Sequence, residues 1–153
     1  MSTVIGADRA RVWRALTEAA EVVRWDERVI ALEDPANEYP RVGRSVRWRY
    51  RLGSIPVVLH EQPLEVVPDS KLRSSVVLGL FRFDETFQLT TEPGDGERTR
   101  LMLKLVASNS VPVVGGALDR FAVRRVAAEF IDAKLRAVQK WCETPPPRRR
   151  ASR

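Results

Sequence analysis

The spacing of apolar residues divides the chain into three regions, the first of which repeats at helical spacing. Asp8, a residue type that caps helix N-termini, precedes a segment whose apolar residues recur every three to four positions. The pattern predicts two short helices at about 9–16 and 18–25. Only residues 3–5 precede them as a possible strand, so any first strand is short.

The second region, residues 27–108, has the period of two that is typical of strands. Six segments are candidate strands: 27–32, 45–52, 55–61, 72–81, 83–91 and 99–107. Their links contain Gly, Pro and Asp, and "EPGDGER" predicts a tight turn before the last strand. Parallel pairing needs a crossover of about a dozen residues at each step. The short links therefore favour an antiparallel meander.

The third region returns to helical spacing for about 25 to 30 residues and then stops. Its apolar stripe contains Val123, Val126, Ala127, Phe130, Ile131, Leu135, Val138, Trp141 and Cys142. Its charged face contains Arg125, Glu129, Asp132, Arg136 and Lys140. A helix of this kind is expected to lie on an apolar surface. The "TPPP" at 144–147 cannot continue it, which leaves 144–153 as a Pro/Arg-rich flexible tail.

Length and composition are typical of one globular domain, and the basic charge is mostly in the tail. The chain has 153 residues and a formal charge of +6, but four arginines lie in 148–153. The remaining 22 basic and 20 acidic residues leave about +2, which argues against a nucleic-acid-binding domain. The single cysteine, Cys142, excludes an intrachain disulfide and favours a core position and a cytoplasmic location. No apolar run approaches the roughly 20 residues of a membrane span.

The order of several short motifs resembles one protein family. "ADRARVWRALTEAAEVVRWDE" at 7–27 carries a Val-Trp pair, a Leu-Thr and a Trp-Asp, and "RVGRSVRWRY" follows at 41–50. "HEQPLEVV" lies at 60–67, and "FDETFQLTTEPGDGERTRLMLKL" at 83–105 precedes the long helix. Over nearly all of 3–143 the chain resembles the polyketide cyclase/dehydrase-like proteins of the START-related SRPBCC superfamily.

The resemblance implies a fold and a general kind of site. The fold is the α+β helix-grip fold, in which a curved antiparallel sheet of six to seven strands, two short helices and a long C-terminal helix enclose a cavity. It would occupy residues 1–143 as one domain. The first strand is shorter than is usual in the superfamily, which leaves open a natural start upstream. Members include polyketide aromatase/cyclases, carriers of lipids or quinones, and hormone receptors.

Alternation in the segment "SVRWRYRL" separates its aromatic residues from its arginines. One face carries Val46, Trp48, Tyr50 and Leu52, and the other carries Arg47, Arg49 and Arg51. The apolar face is expected to meet the long helix. Trp48 and Tyr50 are then either cavity walls that orient a ligand through an indole N–H and a phenol hydroxyl, or packed core residues. The arginines are expected to be solvated.

The strand "FRFDETFQL" places one carboxylate among apolar neighbours. Phe83, Glu85, Phe87 and Leu89 share a face, so Glu85 must find a partner or its pKa must rise. Glu85 either anchors a ligand hydroxyl, acts as a general acid/base, or forms a salt bridge or rim contact. The predicted ligand-binding residues are Val46, Trp48, Tyr50, Leu52, Phe83, Glu85, Phe87, Leu101, Leu103, Phe121, Phe130 and Ile131.

His60 is the only histidine and a candidate for proton transfer near neutral pH. Pro63 indicates a bulge or bend nearby, so alternation does not decide whether His60 or Glu61 points inward. A structural role for His60 is the alternative. No His/Cys/Asp/Glu cluster has metal-ligand spacing and no glycine-rich phosphate loop occurs, so we expect neither a metal nor another cofactor.

Two flanking segments admit more than one interpretation. Gly115 and Gly116, in the link 109–120, either form part of a gate at the cavity mouth, or mark the start of the long helix or permit close packing against the sheet. The "RRRAS" of the tail resembles a phosphorylation site and could contact an anionic surface weakly, but a solubilising tail is the simplest interpretation.

Three functions follow from these observations. The first is a carrier or sensor that binds a hydrophobic small molecule such as a lipid, quinone or polyketide. The second is a cofactor-free polyketide cyclase/dehydrase-type enzyme that uses Glu85, Tyr50 and His60 as catalytic residues. The third and weakest is binding of RNA or an anionic membrane by the arginine face and the tail. The sequence does not indicate an oligomeric state.

Overall fold

The structure, a computed structural model, describes residues 1–79, 81–94, 97–107 and 116–144, without the side chains of 116–124 and 126. Its strands are β1 (Ser2–Ile5), β2 (Val29–Leu32), β3 (Val46–Leu52), β4 (Ile55–Val67), β5 (Lys71–Leu78), β6 (Phe81–Thr91) and β7 (Thr99–Ala107). Its helices are α1 (Arg9–Thr17), α2 (Ala19–Trp25), a 3₁₀ turn (Ala36–Glu38) and α3 (Gly116–Glu143).

The seven strands form one antiparallel sheet in the order β1-β7-β6-β5-β4-β3-β2. Each of the strands β2 to β6 pairs with its successor in the sequence, so the predicted meander is confirmed. The short β1 closes the other edge by pairing with β7, with Ile5 opposite Thr99. The predicted α+β helix-grip architecture is therefore also confirmed.

Two predicted strand boundaries were wrong, and both errors came from glycine or proline. Pro63 does not end β4, because the strand absorbs an irregularity between Pro63 and Glu65 and continues to Val67. The predicted strand 72–81 ends early, because β5 stops at Leu78 and Gly79 turns the chain with φ 58°, while Phe81 already belongs to the next strand, β6. Glycine adopts this left-handed conformation without the steric cost that other residues incur.

The two short helices form as predicted and are locked together. The Asp8 carboxylate accepts a hydrogen bond of 2.7 Å from the backbone N–H of Arg11, which confirms it as the N-cap of α1. The indole of Trp25, at the end of α2, donates a 2.7 Å hydrogen bond to the Ala15 carbonyl in α1. This bond fixes α2 and the chain that follows it against α1.

The core lies between the concave face of the sheet and the helices. On α3, Leu135, Val138 and Cys142 are buried, and Ala127, Phe130, Ile131 and Trp141 are half-buried. The side chains of Val123 and Val126 lie outside the described residues. The helix ends at Glu143 as predicted, and the proposed tail beyond Thr144 also lies outside the described residues.

The arginines of β3 lie on the opposite, convex face. Arg47 and Arg49 are exposed, and they pair with Asp34 at 3.0 Å and Glu33 at 2.8 Å. The positive charge of this face is therefore largely neutralised where the strand meets the chain after β2. This pairing weakens the case for a nucleic-acid surface.

Candidate functional site

A pocket of about 50 Å³ lies between the concave face of the sheet and α3. Five strands, β2 to β6, supply one wall, and the helices with the segment around Tyr39 supply the other. Its lining consists of Leu16, Val22, Trp25, Asp26, Val29, Tyr39, Trp48, Tyr50, Leu59, Glu61, Val76, Phe83, Glu85, Phe87, Phe130 and Lys134. The lining is thus mostly apolar and aromatic, with a few polar and charged groups.

Glu61, rather than His60, points into this pocket. Register places Glu61 of β4 opposite Val46 of β3, on the concave face, where Glu61 is only 7% exposed. His60 is exposed on the convex face, since adjacent residues of a strand point to opposite sides. The prediction of His60 as a catalytic residue of the cavity is corrected accordingly.

The Glu61 carboxylate is held by two aromatic donors. The indole N–H of Trp48 donates to Oε2 at 2.8 Å, and the phenol of Tyr39 donates to Oε1 at 3.3 Å. The two rings meet edge to face, with centroids 5.1 Å apart. The carboxylate therefore has a fixed orientation within an aromatic corner of the pocket.

The surroundings of Glu61 favour its protonated form. Burial raises the pKa of Glu61, and the nearby Glu85 carboxylate raises it further. The buried hydroxyl of Ser74 acts in the opposite direction, although its Oγ makes no hydrogen bond of good geometry to any described residue. Glu61 is thus a group whose charge depends on what enters the pocket.

Glu85 forms a buried ion pair with Lys134 of α3. The Lys134 ammonium donates to Glu85 Oε1 at 2.6 Å, with the two side chains 14% and 8% exposed. The same ammonium lies 5.2 Å and 5.7 Å from the ring centroids of Phe87 and Phe130. Burial disfavours the charge on Lys134, but the combined attraction of Glu85, Asp26 and Glu61, with the hydrogen bond to Glu85, outweighs it and raises the pKa of Lys134. This pair links α3 to β6 across the pocket.

Asp26 and Tyr50 complete the polar lining at the α2 side of the pocket. Asp26 is 4% exposed and accepts hydrogen bonds from the Arg28 backbone N–H at 3.1 Å and from Arg28 Nε at 3.2 Å. The Tyr50 hydroxyl is buried, and no described residue offers it a hydrogen-bond partner. Burial raises the pKa of Tyr50, so its phenol stays neutral and can donate a proton in a hydrogen bond.

The structure brings six of the predicted ligand-binding residues into the lining: Trp48, Tyr50, Phe83, Glu85, Phe87 and Phe130. Val46, Leu101 and Leu103 are instead packed in the core, and Ile131 is half-buried against it. Leu52 is 55% exposed at the turn between β3 and β4, so it does not line the pocket. Phe121 has its side chain outside the described residues.

Four polar lining residues were not predicted: Asp26, Tyr39, Glu61 and Lys134. The sequence contains a signal for Lys134, because this lysine lies four residues after Phe130 and four before Val138. That spacing places it on the apolar stripe of α3, which faces the sheet. Asp26 belongs to the Trp-Asp motif noted above. Tyr39 lies in an irregular segment where no periodicity indicates its direction.

The described residues contain no group of three or more His, Cys, Asp and Glu that could hold a metal ion. In the same residues, no helix has both the length and the apolar character needed to cross a membrane.

Solved structures share this fold at low sequence identity. A START superfamily protein from Mycobacterium smegmatis is 14% identical, with a TM-score of 0.72 over 94% of both chains. The Zhui aromatase/cyclase from Streptomyces sp. R1128 is 18% identical, with a TM-score of 0.67 over 94% of this chain and 91% of that one. DynU16, from the dynemicin biosynthetic locus, is 20% identical with a TM-score of 0.67. The match covers 94% of this chain but only 46% of the length of DynU16.

These identities support the fold alone. Comparison with curated proteins finds no significant match. The family described as "Polyketide cyclase / dehydrase and lipid transport" matches residues 1–143. The chain therefore belongs to this family.

Proposed function

We propose that the chain binds a small molecule with an apolar body and a hydrogen-bonding group, such as a lipid, quinone or polyketide, and serves as its carrier or sensor. The observation that carries this proposal is the Tyr50 hydroxyl, which is buried in the pocket wall without a partner among the described residues. Such a group costs stability, about 1–3 kcal/mol. A ligand oxygen that accepts its proton would remove that cost.

The remaining lining supports the same proposal. Small-molecule sites are mostly apolar and contain a few polar groups that fix the ligand's orientation. Trp48, Phe83, Phe87 and Phe130 supply apolar and aromatic surface here, and Tyr50 lies on the same wall. Three of the four charged lining residues, Glu61, Glu85 and Lys134, come from β4, β6 and α3.

The size of the pocket sets a condition on the proposal. A volume of about 50 Å³ holds one or two water molecules, since each takes about 30 Å³ in the liquid. Small-molecule sites typically measure about 300–1,000 Å³. A ligand must therefore displace part of the wall, and we expect Phe130 to move because it is half-buried and stacks under Arg28 at 4.2 Å.

The test is to fill the pocket and measure binding. We would titrate the full chain with 2-naphthol by calorimetry and compare Val76→Phe with Val106→Phe. Val76 is 2% exposed in the pocket wall, whereas Val106 is 46% exposed, so only the first substitution obstructs the site. We expect Val76→Phe to weaken binding at least tenfold and Val106→Phe to leave it unchanged.

Thermal unfolding of both variants checks that they fold. Native mass spectrometry after mild purification extends the test to a co-purified ligand. Equal affinity for 2-naphthol in the two folded variants, or no binding of any apolar probe, would contradict the proposal.

A second candidate function is acid/base catalysis of the cyclase/dehydrase type. It is favoured by Glu61, a buried carboxyl whose pKa is raised by burial and which lies in the same pocket as the Tyr50 hydroxyl. In this version Glu61 takes the role predicted for His60. The test is turnover of a linear polyketone: Glu61→Gln should lower kcat at least a hundredfold. Unchanged kcat would eliminate this role.

A further inference from the structure

We propose that the pocket selects a ligand carrying a protonated amine, with Glu61 as its counter-ion. This inference rests on the proposed binding function and names the chemical class of its ligand. It concerns the end of the pocket formed by Tyr39, Trp48 and Glu61.

The first observation is that Glu61 lacks a cation. Of the three carboxylates in the lining, Asp26 pairs with Arg28 at 3.2 Å and Glu85 pairs with Lys134 at 2.6 Å. Within the described part of the chain Glu61 forms no ion pair, and its hydrogen-bond donors are neutral. Buried carboxylates are rare unless they are paired. Glu61 is thus the carboxylate in the lining that can still accept a charged partner.

The second observation is the arrangement of rings around this carboxylate. Tyr39 and Trp48 stand at 86° to each other with centroids 5.1 Å apart, and both donate to Glu61. Aromatic faces attract ammonium groups, most strongly where water is excluded. The same rings that orient the carboxylate therefore also favour a cation beside it.

The third observation is the hydroxyl of Ser74. It is 1% exposed, and apart from its interaction with the Glu61 carboxyl its oxygen has no hydrogen-bond partner among the described residues. Ser74 lies on β5 opposite Pro63, two residues from Val76, which pairs with Glu61. An alkylammonium group has three N–H donors, so it can donate to both Glu61 and Ser74. A neutral alcohol can donate to Glu61 and accept from Ser74, but it brings no positive charge to compensate a buried carboxylate.

Charge balance couples binding to pH. Three titratable groups face Glu61 from other elements: Tyr39, Glu85 on β6 and Lys134 on α3. Lys134 repels a cation, but Glu85 at 2.6 Å offsets that repulsion. Burial raises the pKa of Glu61 in the free protein, so at any pH where Glu61 is still protonated an ammonium group must displace that proton. Amine affinity should rise with pH until Glu61 is ionised in the free protein.

The experiment compares two probes with the same body, phenethylamine and 2-phenylethanol, by calorimetry on the full chain at pH 7. We expect the amine to bind at least tenfold more tightly. Glu61→Gln should lower amine affinity at least tenfold and change alcohol affinity less than threefold. Glu18→Gln is the matched control, because Glu18 is exposed and its side chain makes no capping bond.

The outcomes separate the two proposals. If neither probe binds, both the binding function and the amine preference are overturned. If the alcohol binds as tightly as the amine, the preference is overturned while the binding function stands. If Glu61→Gln leaves amine affinity unchanged, Glu61 is not the counter-ion. If Glu61→Gln fails to fold, the test is to titrate the wild-type protein with both probes at pH 5 and at pH 8. The proposal requires the affinity for the amine to be higher at pH 8 than at pH 5, and the affinity for the alcohol to be unchanged.

Discussion

Replacing Lys134 by methionine removes the one ammonium group in the described lining of the pocket and leaves Glu85 buried without its partner. Removing one member of a buried ion pair typically costs about 3–5 kcal/mol, because the remaining charge is uncompensated. Both side chains are nearly inaccessible, at 14% and 8% exposure, so solvent screening does not reduce this figure much. We therefore expect Lys134→Met to lose about 3–5 kcal/mol of unfolding free energy at pH 7.

The double variant Lys134→Met/Glu85→Leu isolates the reason for that loss. With both charges gone, apolar groups of similar length occupy the site, and such replacements are often neutral or stabilising. We expect the double variant to recover most of the lost stability. Urea unfolding followed by tryptophan fluorescence measures it without adding salt that would screen the charges.

The matched control is the exposed ion pair between Arg136 and Asp132 on the same helix. Its side chains are 77% and 42% exposed, so Arg136→Met should change stability by less than about 1 kcal/mol. The reasoning is refuted if Lys134→Met also costs less than about 1 kcal/mol. It is equally refuted if the double variant is no more stable than the single one.

Three further predictions concern the pocket and the core. Burial raises the pKa of Glu61 above its ordinary 4.5, so the unfolding free energy falls as the pH rises from there through the folded-state pKa. The unfolding free energy of Glu61→Gln, measured in urea, should therefore increase relative to that of wild type between pH 5 and 8. A difference between the two proteins that does not change with pH would contradict this. Tyr50→Phe should leave the melting temperature unchanged or raise it, because the lost hydroxyl has no partner among the described residues. The same substitution should lower the affinity for 2-naphthol. A large drop in melting temperature would show that the hydroxyl does form a stabilising hydrogen bond. Leu101→Ala should lower the free energy of unfolding by about 2–5 kcal/mol and Leu52→Ala by less than about 0.5 kcal/mol, since the two leucines are 0% and 55% exposed. Similar losses for both variants in urea unfolding would be inconsistent with the assigned burial.

Alternation along strands allowed much of the concave face to be predicted from the sequence. Trp48, Tyr50, Glu85 and Phe87 all point toward the helices, because a strand that buries one face must place every second residue there. Leu52 has the correct parity but lies at the end of its hairpin, where it is exposed. Alternation predicts which face of the sheet a residue is on, but it does not predict whether the helices cover that face at that position.

The charged part of the pocket was harder to predict. The direction of Glu61 depends on its register with Val46, which the nearby Pro63 obscured in the sequence. Tyr39 lies in an irregular segment whose path is set by tertiary contacts, including its hydrogen bond to Glu61. Lys134 was detectable, because a lysine on an apolar helix stripe requires a buried partner. Its pairing with Glu85 depends on how α3 lies across the sheet.

The most direct test of a ligand site in this pocket is the NMR signal of the Trp48 indole N–H, which donates to Glu61 at 2.8 Å. The indole of Trp141 donates to Glu21 outside the pocket lining and serves as an internal reference. We would record ¹H–¹⁵N spectra during titration with 2-naphthol and with phenethylamine, and assign Trp48 through Trp48→Phe. The account predicts a saturable shift of the Trp48 indole signal with little change for Trp141. An unchanged Trp48 signal at saturation of binding would contradict it.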